Sequence, residues 1–173
     1  MHDASSSDKN THTGDLPNFH IPHMEKIEWM VETFGWATES VDPGVAKAAN
    51  GSPFPTYSYT LNFTEATTFP NVVVCGLTPV ACKGLFDLVV DVVAAGNSIE
   101  IGTELLGLFD GEQRARFISV DMNEWGHLFA TATSWYKAKP FSMVQLLWPD
   151  RNGFLPGEVG FDQRLTFTQP LLG

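Results

Sequence analysis

The sequence predicts an α+β fold, a single domain built on a mostly antiparallel sheet of five or six strands with about three helices packed on it. Three observations carry that prediction. Residues 56–63, Thr-Tyr-Ser-Tyr-Thr-Leu-Asn-Phe, alternate large apolar with small polar side chains at a period of two, the pattern of a strand with one buried face. Between Val80 and Ala95, Leu85, Leu88, Val89, Val92 and Val93 fall on one broad helical face. Asp110-Gly111 separates two apolar runs and signals a β-hairpin. The chain has 173 residues, 43% of them hydrophobic, which suffices for a packed core without covalent staples.

The elements follow in order. Residues 1–22 form a polar tail, expected to be mobile, that leaves 23–173 as the globular domain. His2, His12, His20 and His23 lie in or beside it. No pair has the i, i+4 spacing that favours a helical metal site, so no metal is expected. Ile27, Met30, Val31 and Phe34 recur at helical spacing, and Gly35 supplies a stop. Trp36–Val41 reads as a strand entering the Asp42-Pro43-Gly44 turn, and 43–55 reads as a surface loop. In the next strand Tyr57, Tyr59, Leu61 and Phe63 face the core. The opposite face, with Ser58 and Thr60, is expected either in solvent or as the wall of a polar pocket. Asn71-Val-Val-Val-Cys75 is an apolar run suited to a central strand covered on both sides.

After the Val80–Ala95 helix and its Gly96-Asn97 cap, the hairpin arms are Thr103–Phe109 and Glu112–Val120. Arg114 and Arg116, two apart, project from one side of the second arm. Asp121 to about Lys137 reads as a continuous helix, with Met122, Trp125, Phe129, Ala132 and Tyr136 on one face and His127 opposite. Phe141–Trp148 is the last strand. Pro149 ends it, because proline has no N–H to give the ladder. Asp150-Arg-Asn-Gly153 is a turn, followed by an irregular C-terminal arm in which Leu171 and Leu172 can dock.

Composition narrows the function. Ten Lys+Arg against twenty Asp+Glu give a formal charge of −10, which disfavours nucleic acid and anionic membranes as partners. A local arginine pair can still receive an anionic ligand. Cys75 and Cys82 form no metal-ligand pattern and no disulfide framework. There is no signal-peptide pattern and no membrane-spanning run, so a cytoplasmic location is expected. A homo-oligomer is compatible with these features and not implied by them.

No nucleophile elbow, phosphate-binding glycine loop or zinc-protease motif is present, and no cofactor is expected. What remains is Tyr57, Tyr59, Arg114, Arg116, Gln145, Trp148, Asp150 and Arg151, residue types that stack on, clamp and read polar ligands. Strand alternation puts Gln145 and Trp148 on opposite faces, so a shared site is expected at the strand's tip, where Pro149 turns the chain. Gln145 has a structural alternative: an amide inside a core strand costs about 1–3 kcal/mol unless its hydrogen bonds are made.

Four segments carry a resemblance: Pro55-Thr-Tyr-Ser-Tyr-Thr-Leu61, Phe69-Pro-Asn-Val-Val-Val-Cys-Gly-Leu77, Val144-Gln-Leu-Leu-Trp-Pro-Asp-Arg-Asn-Gly153 and Gln169-Pro-Leu-Leu-Gly173. With Gly35-Trp36, they resemble the bacterial family catalogued as domain of unknown function 4262, over roughly residues 27–173. The chain departs from that family's pattern at Asn62, where the family has Gly, and at Leu155-Pro156-Gly157, where a tryptophan usually follows the proline. The family has no settled activity, so the resemblance implies fold boundaries and a site location rather than a reaction. The leading expectation is a soluble small-molecule-binding domain for a nucleotide-like or other polar anionic ligand. It would use the Tyr57/Tyr59 strand, the Arg114/Arg116 strand and the Gln145–Arg151 tip. The alternatives are a cofactor-independent hydrolase or transferase and a protein–protein interaction module.

Overall fold

Six strands form one open sheet: β1 (Ala37–Val41), β2 (Tyr57–Leu61), β3 (Asn71–Cys75), β4 (Glu104–Leu106), β5 (Arg114–Ser119) and β6 (Met143–Leu147). In this computed structural model, which describes residues 23–173, their spatial order is β1-β2-β3-β6-β5-β4. The expected N-terminal tail, with His2, His12 and His20, lies outside the described residues. Every pairing is antiparallel except the central one, where β3 runs parallel to β6. The fold is therefore α+β with a mostly antiparallel sheet.

Helices cover both faces of the sheet. On one face lie α1 (His23–Phe34) and an irregular helical segment made of α4 (Met122–Trp125), a 3-10 turn (Gly126–Phe129) and α5 (Ala130–Trp135). Ile27, Leu128, Phe129 and Ala132 pack there against Tyr57, Tyr59, Leu61, Val73 and Cys75. On the other face, α3 (Pro79–Ala94) sets Cys82, Leu85, Phe86 and Val89 against Val72, Val74, Phe117, Val144 and Leu146. Short α2 (Phe63–Thr67) joins that second core through Phe63. The two cysteines are free and sit in different cores, Cys75 on the first face and Cys82 on the second.

Several expectations need correction. The polar face of β2 meets neither solvent nor a pocket: Ser58 and Thr60 are buried between β2 and its neighbours. Their hydroxyls are satisfied locally, Ser58 with Ser40 at 2.8 Å, and Thr60 by accepting from Val72 N at 2.9 Å and donating to Asn71 Oδ1 at 3.2 Å. The Asp110-Gly111 hairpin exists as β4 and β5, but residues 107–113 connect the strands, a longer loop than a two-residue turn. The expected 121–137 helix is broken into three pieces. Asp121 caps it by accepting from Asn123 N and Glu124 N, and Lys137 and Ala138 adopt positive φ at its end. In α1, Phe34 is exposed instead of sharing the buried face with Ile27. Gly35 ends that helix at φ +86°, its N–H donating to Val31 O at 2.8 Å. No periodicity announced α2. It follows Asn62, which holds a left-handed φ of 59° while its Nδ2 donates to Gly35 O at 3.0 Å.

Candidate functional site: a clasped strand tip and an open cleft

Opposed residues on adjacent strands share a face, so the ladder defines a row Glu39–Tyr59–Val73–Gln145–Ile118 across the sheet. The expected site lies towards one end of this row. The C-terminal arm, from Phe154 onwards, covers it.

Gln145 is fully buried. Its Nε2 donates to Pro170 O at 2.7 Å and approaches Cys75 Sγ at 3.8 Å, and its Oε1 accepts from Leu172 N at 2.9 Å. Trp148 is held in the same way, its indole N–H donating to Cys75 O at 2.8 Å. Gln169 completes the ladder that Pro149 interrupts: its Oε1 accepts from Trp148 N and its Nε2 donates to Trp148 O, both at 2.9 Å. One side-chain amide thus replaces a neighbouring strand's peptide group. Asp150 ties the turn to the arm, accepting from Asn152 N, Phe154 N and Asp162 N. Burial pushes its carboxyl pKa up, but these three backbone donors outweigh that and hold it below the usual range. Gly76 lets the arm pass: at φ +84°, a Cβ on it would stand 2.6 Å from Thr168 O.

The arginine pair is engaged as well. Arg114 donates to Glu104 at 2.7 Å, to both oxygens of Glu158 at 2.6 and 2.8 Å, and to Gly153 O at 2.7 Å. These partners raise the Arg114 pKa, and Arg114 together with Leu155 N lowers that of Glu158 to about 2. Arg116 reaches Glu104 only at 3.4 Å, and among the described residues its buried Nε has no partner. Arg151 is exposed and lines a separate surface pocket with Asn152, Asp162, Arg164 and Leu165.

The structure does not bring the eight expected residues to one ligand. Gln145, Trp148, Asp150 and Arg114 clasp the C-terminal arm. Tyr57 and Tyr59 are core rings, stacked with centroids 6.1 Å apart. Their hydroxyl edges reach a different place, a cleft of about 460 Å³ between β1, the start of α1 and residues 127–131.

Glu39, Asp42, Thr131 and two histidines line the cleft among mostly apolar side chains. The alternation of β1 points the Glu39 side chain inward beside Tyr59, from the edge strand of the sheet. Its Oε2 is buried, and His23 Nε2 comes within 2.5 Å of it without the alignment of a hydrogen bond. The same His23 nitrogen stands 3.4 Å from Thr131 Oγ1. His127 lies at the rim with its Nε2 2.7 Å from Lys47 O, so that nitrogen carries the proton and donates. Burial pushes the Tyr59 pKa up to about 12, against hydrogen bonding by Thr131. Burial also raises that of Tyr57, whose hydroxyl is committed to Leu128 O at 2.7 Å.

The model of the family described as Domain of unknown function (DUF4262) matches residues 30–162. The chain belongs to that family. No curated protein and no solved structure matches the chain. Within the DUF4262 domain, the Gln-Leu-Leu-Trp-Pro-Asp segment lies inside the match, whereas the Gln169–Gly173 segment it grips lies beyond its end. Two of the resemblance motifs of this family member are thus the two halves of one clasp.

As His23 stands, the cleft does not assemble a serine-type catalytic relay. In a serine-type triad the nucleophile and the carboxylate occupy opposite imidazole nitrogens. Here Thr131 and Glu39 both approach Nε2 of His23, so no proton can pass between them through the ring. Cys75 is fully buried, and burial raises its thiol pKa far from thiolate chemistry. Among the described residues no group of three or more His, Cys, Asp or Glu is placed to hold a metal ion, and no helix is long and apolar enough to cross a membrane. Sequence reasoning did not single out Glu39 and weighed His23 only as a metal ligand. The signal was available in Ala37-Thr-Glu-Ser-Val41: once this is a strand, Ala37, Glu39 and Val41 share a face, and a carboxylate between two apolar neighbours points at the core.

Proposed function

We propose that this DUF4262 domain binds a small polar molecule in the cleft beneath β1. The observation that carries the proposal is the inward carboxylate of Glu39. A buried, poorly partnered carboxylate is unfavourable in a domain that never meets a ligand, and it sits here among hydroxyl and imidazole groups in a cavity of ligand size. The reading keeps Tyr57 and Tyr59 as cleft lining and moves the ligand away from the strand tip. An anionic ligand gains no support from Arg114, whose guanidinium is already shared by Glu104 and Glu158.

A thermal-shift screen over amines, sugars, amino acids and nucleotides tests the proposal. A compound that raises the unfolding temperature in the wild type and not in Glu39→Gln is the expected result. No stabilising compound in any class, or stabilisation that Glu39→Gln leaves intact, overturns it.

A hydrolase or transferase is the second reading, favoured by one observation, the His23–Glu39 contact. It requires His23 to turn and present its other nitrogen to a substrate. Hydrolysis of a panel of activated esters and phosphoesters that disappears in His23→Ala is the supporting result; equal background rates in both proteins reject it.

A further inference from the structure

The His23 imidazole marks where a nitrogen belongs in this cleft. Its Nε2 lies at one point between two acceptors, Glu39 Oε2 at 2.5 Å and Thr131 Oγ1 at 3.4 Å. The carboxylate half of that pair is 13% exposed, whereas the histidine is 56% exposed and belongs to the first residue of α1. A half-solvated ring at a helix end is easily moved; a carboxylate on an inward-facing strand position is not. The contact is also imperfect, close in distance but not aligned as a hydrogen bond.

The charge around this point has one sign. Asp42 joins Glu39 in the cleft wall, and among the described residues no Lys or Arg side chain lines it. The formal charge of −10 on the whole chain adds to the same field. An ammonium group carries three N–H donors on a compact positive centre. Placed where His23 Nε2 now stands, it has Glu39 Oε2 and Thr131 Oγ1 as acceptors and brings the charge that the buried carboxylate lacks. A charge-assisted hydrogen bond of this kind is roughly twice as strong as a neutral one.

We propose that the cleft takes a small organic cation with a primary ammonium group, anchored on Glu39 and Thr131 after His23 swings out. This deepens the small-molecule reading above and rests on it. Val41, Val45, Ala46 and Leu128 give the wall an apolar part that suits a short carbon chain behind the ammonium.

The test uses three matched probes: ethanolamine, ethylene glycol and glycolate, which place an ammonium, a hydroxyl and a carboxylate on the same two-carbon frame. Each is titrated into the full chain while the backbone amides of Glu39, Ser40 and Thr131 are followed by NMR. Ethanolamine is expected to give saturable shifts at these amides. Glu39→Gln should weaken its binding at least about tenfold, the loss of one desolvated charge-assisted contact. His23→Ala should strengthen it several-fold by removing the competitor, and a retained amide spectrum shows that either variant is folded. If ethylene glycol or glycolate binds as tightly as ethanolamine, the cleft is a ligand site and the cation assignment is overturned. If ethanolamine binds equally well to Glu39→Gln, the anchor is wrong. If His23→Ala also fails to bind any of the three while the broader screen finds a neutral or anionic ligand, the cation assignment again falls and the small-molecule reading survives. If that screen finds nothing, both fall together.

Discussion

The strand tip and the cleft draw on the same kinds of side chain and treat them in opposite ways. At the tip, Gln145, Gln169 and Asp150 make eight hydrogen bonds between them, counting the long contact to sulfur, and all run within the chain. In the cleft, the buried oxygen of Glu39 has a close neighbour and no aligned partner. A dense group of polar residues in a sequence therefore has two meanings. Fully satisfied inside the fold, such groups specify how the chain closes on itself; left short of partners beside a cavity, they are open to a ligand.

The largest expected effect separates the regions most sharply. Gln145→Leu removes the partners of Pro170 O and Leu172 N inside the protein and should destabilise it by roughly 2–4 kcal/mol. Urea unfolding with unchanged slope checks this; a loss below about 1 kcal/mol would mean that the clasp is incidental. Gly76→Ala comes next. It forces a Cβ against Thr168 O in a backbone conformation that alanine resists, at about 1–3 kcal/mol, and hydrogen exchange should quicken first at Gln169 and Leu172.

The Arg114–Glu158 pair gives a smaller effect with a signature in pH. The folded-state pKa of Glu158 is depressed from 4.5 to about 2. Its contribution is thus complete above about 4.5 and fades as the pH falls towards about 2. Glu158→Gln should be less stable than the wild type at neutral pH, and the gap should close through that window. A gap independent of pH would mean that the charge of the carboxylate contributes nothing and only the shape of the side chain matters. Glu39→Gln should be the mildest, changing the unfolding temperature by no more than about 2 °C in either direction. A large loss of stability would place Glu39 with the satisfied groups and erase the contrast between the two regions.

What the sequence revealed followed from periodicity. The alternation of Tyr57–Leu61, the apolar run Asn71–Cys75 and the apolar spacing of α3 all repeat a rule over several residues, and each element stands where that rule put it, although Leu88, expected on the buried face of α3, is exposed. The misses lack repetition. α2 is five residues long, too short to show a period. The 122–135 segment kept its apolar spacing while its backbone tightened to a 3-10 turn at Gly126–Phe129, which side-chain spacing does not register. For the site, residue type was a weak guide: Gln145, Trp148 and Asp150 were found because they are conspicuous, and they are conspicuous because they hold the arm. Glu39 is an ordinary glutamate in an acidic chain until the strand's alternation gives it a direction.

The single parallel pairing, β3 with β6, also sets the order in which this chain can fold. β1, β2 and β3 follow one another in sequence as antiparallel neighbours, and β4 and β5 form a hairpin. Among the strand pairings, only the seam between β3 and β6 brings together residues 70 apart, Cys75 and Gln145. Short loops close cheaply and early, whereas this one must wait for a long stretch of chain to be gathered. Until that seam closes, the central edges of β3 and β6 lack their partner. The Gln145 amide bonds beside that seam and accepts the arm across it, so it acts as the latch that removes both edges from solution. A weakened latch would show itself first as aggregation during refolding, before any loss in the finished protein.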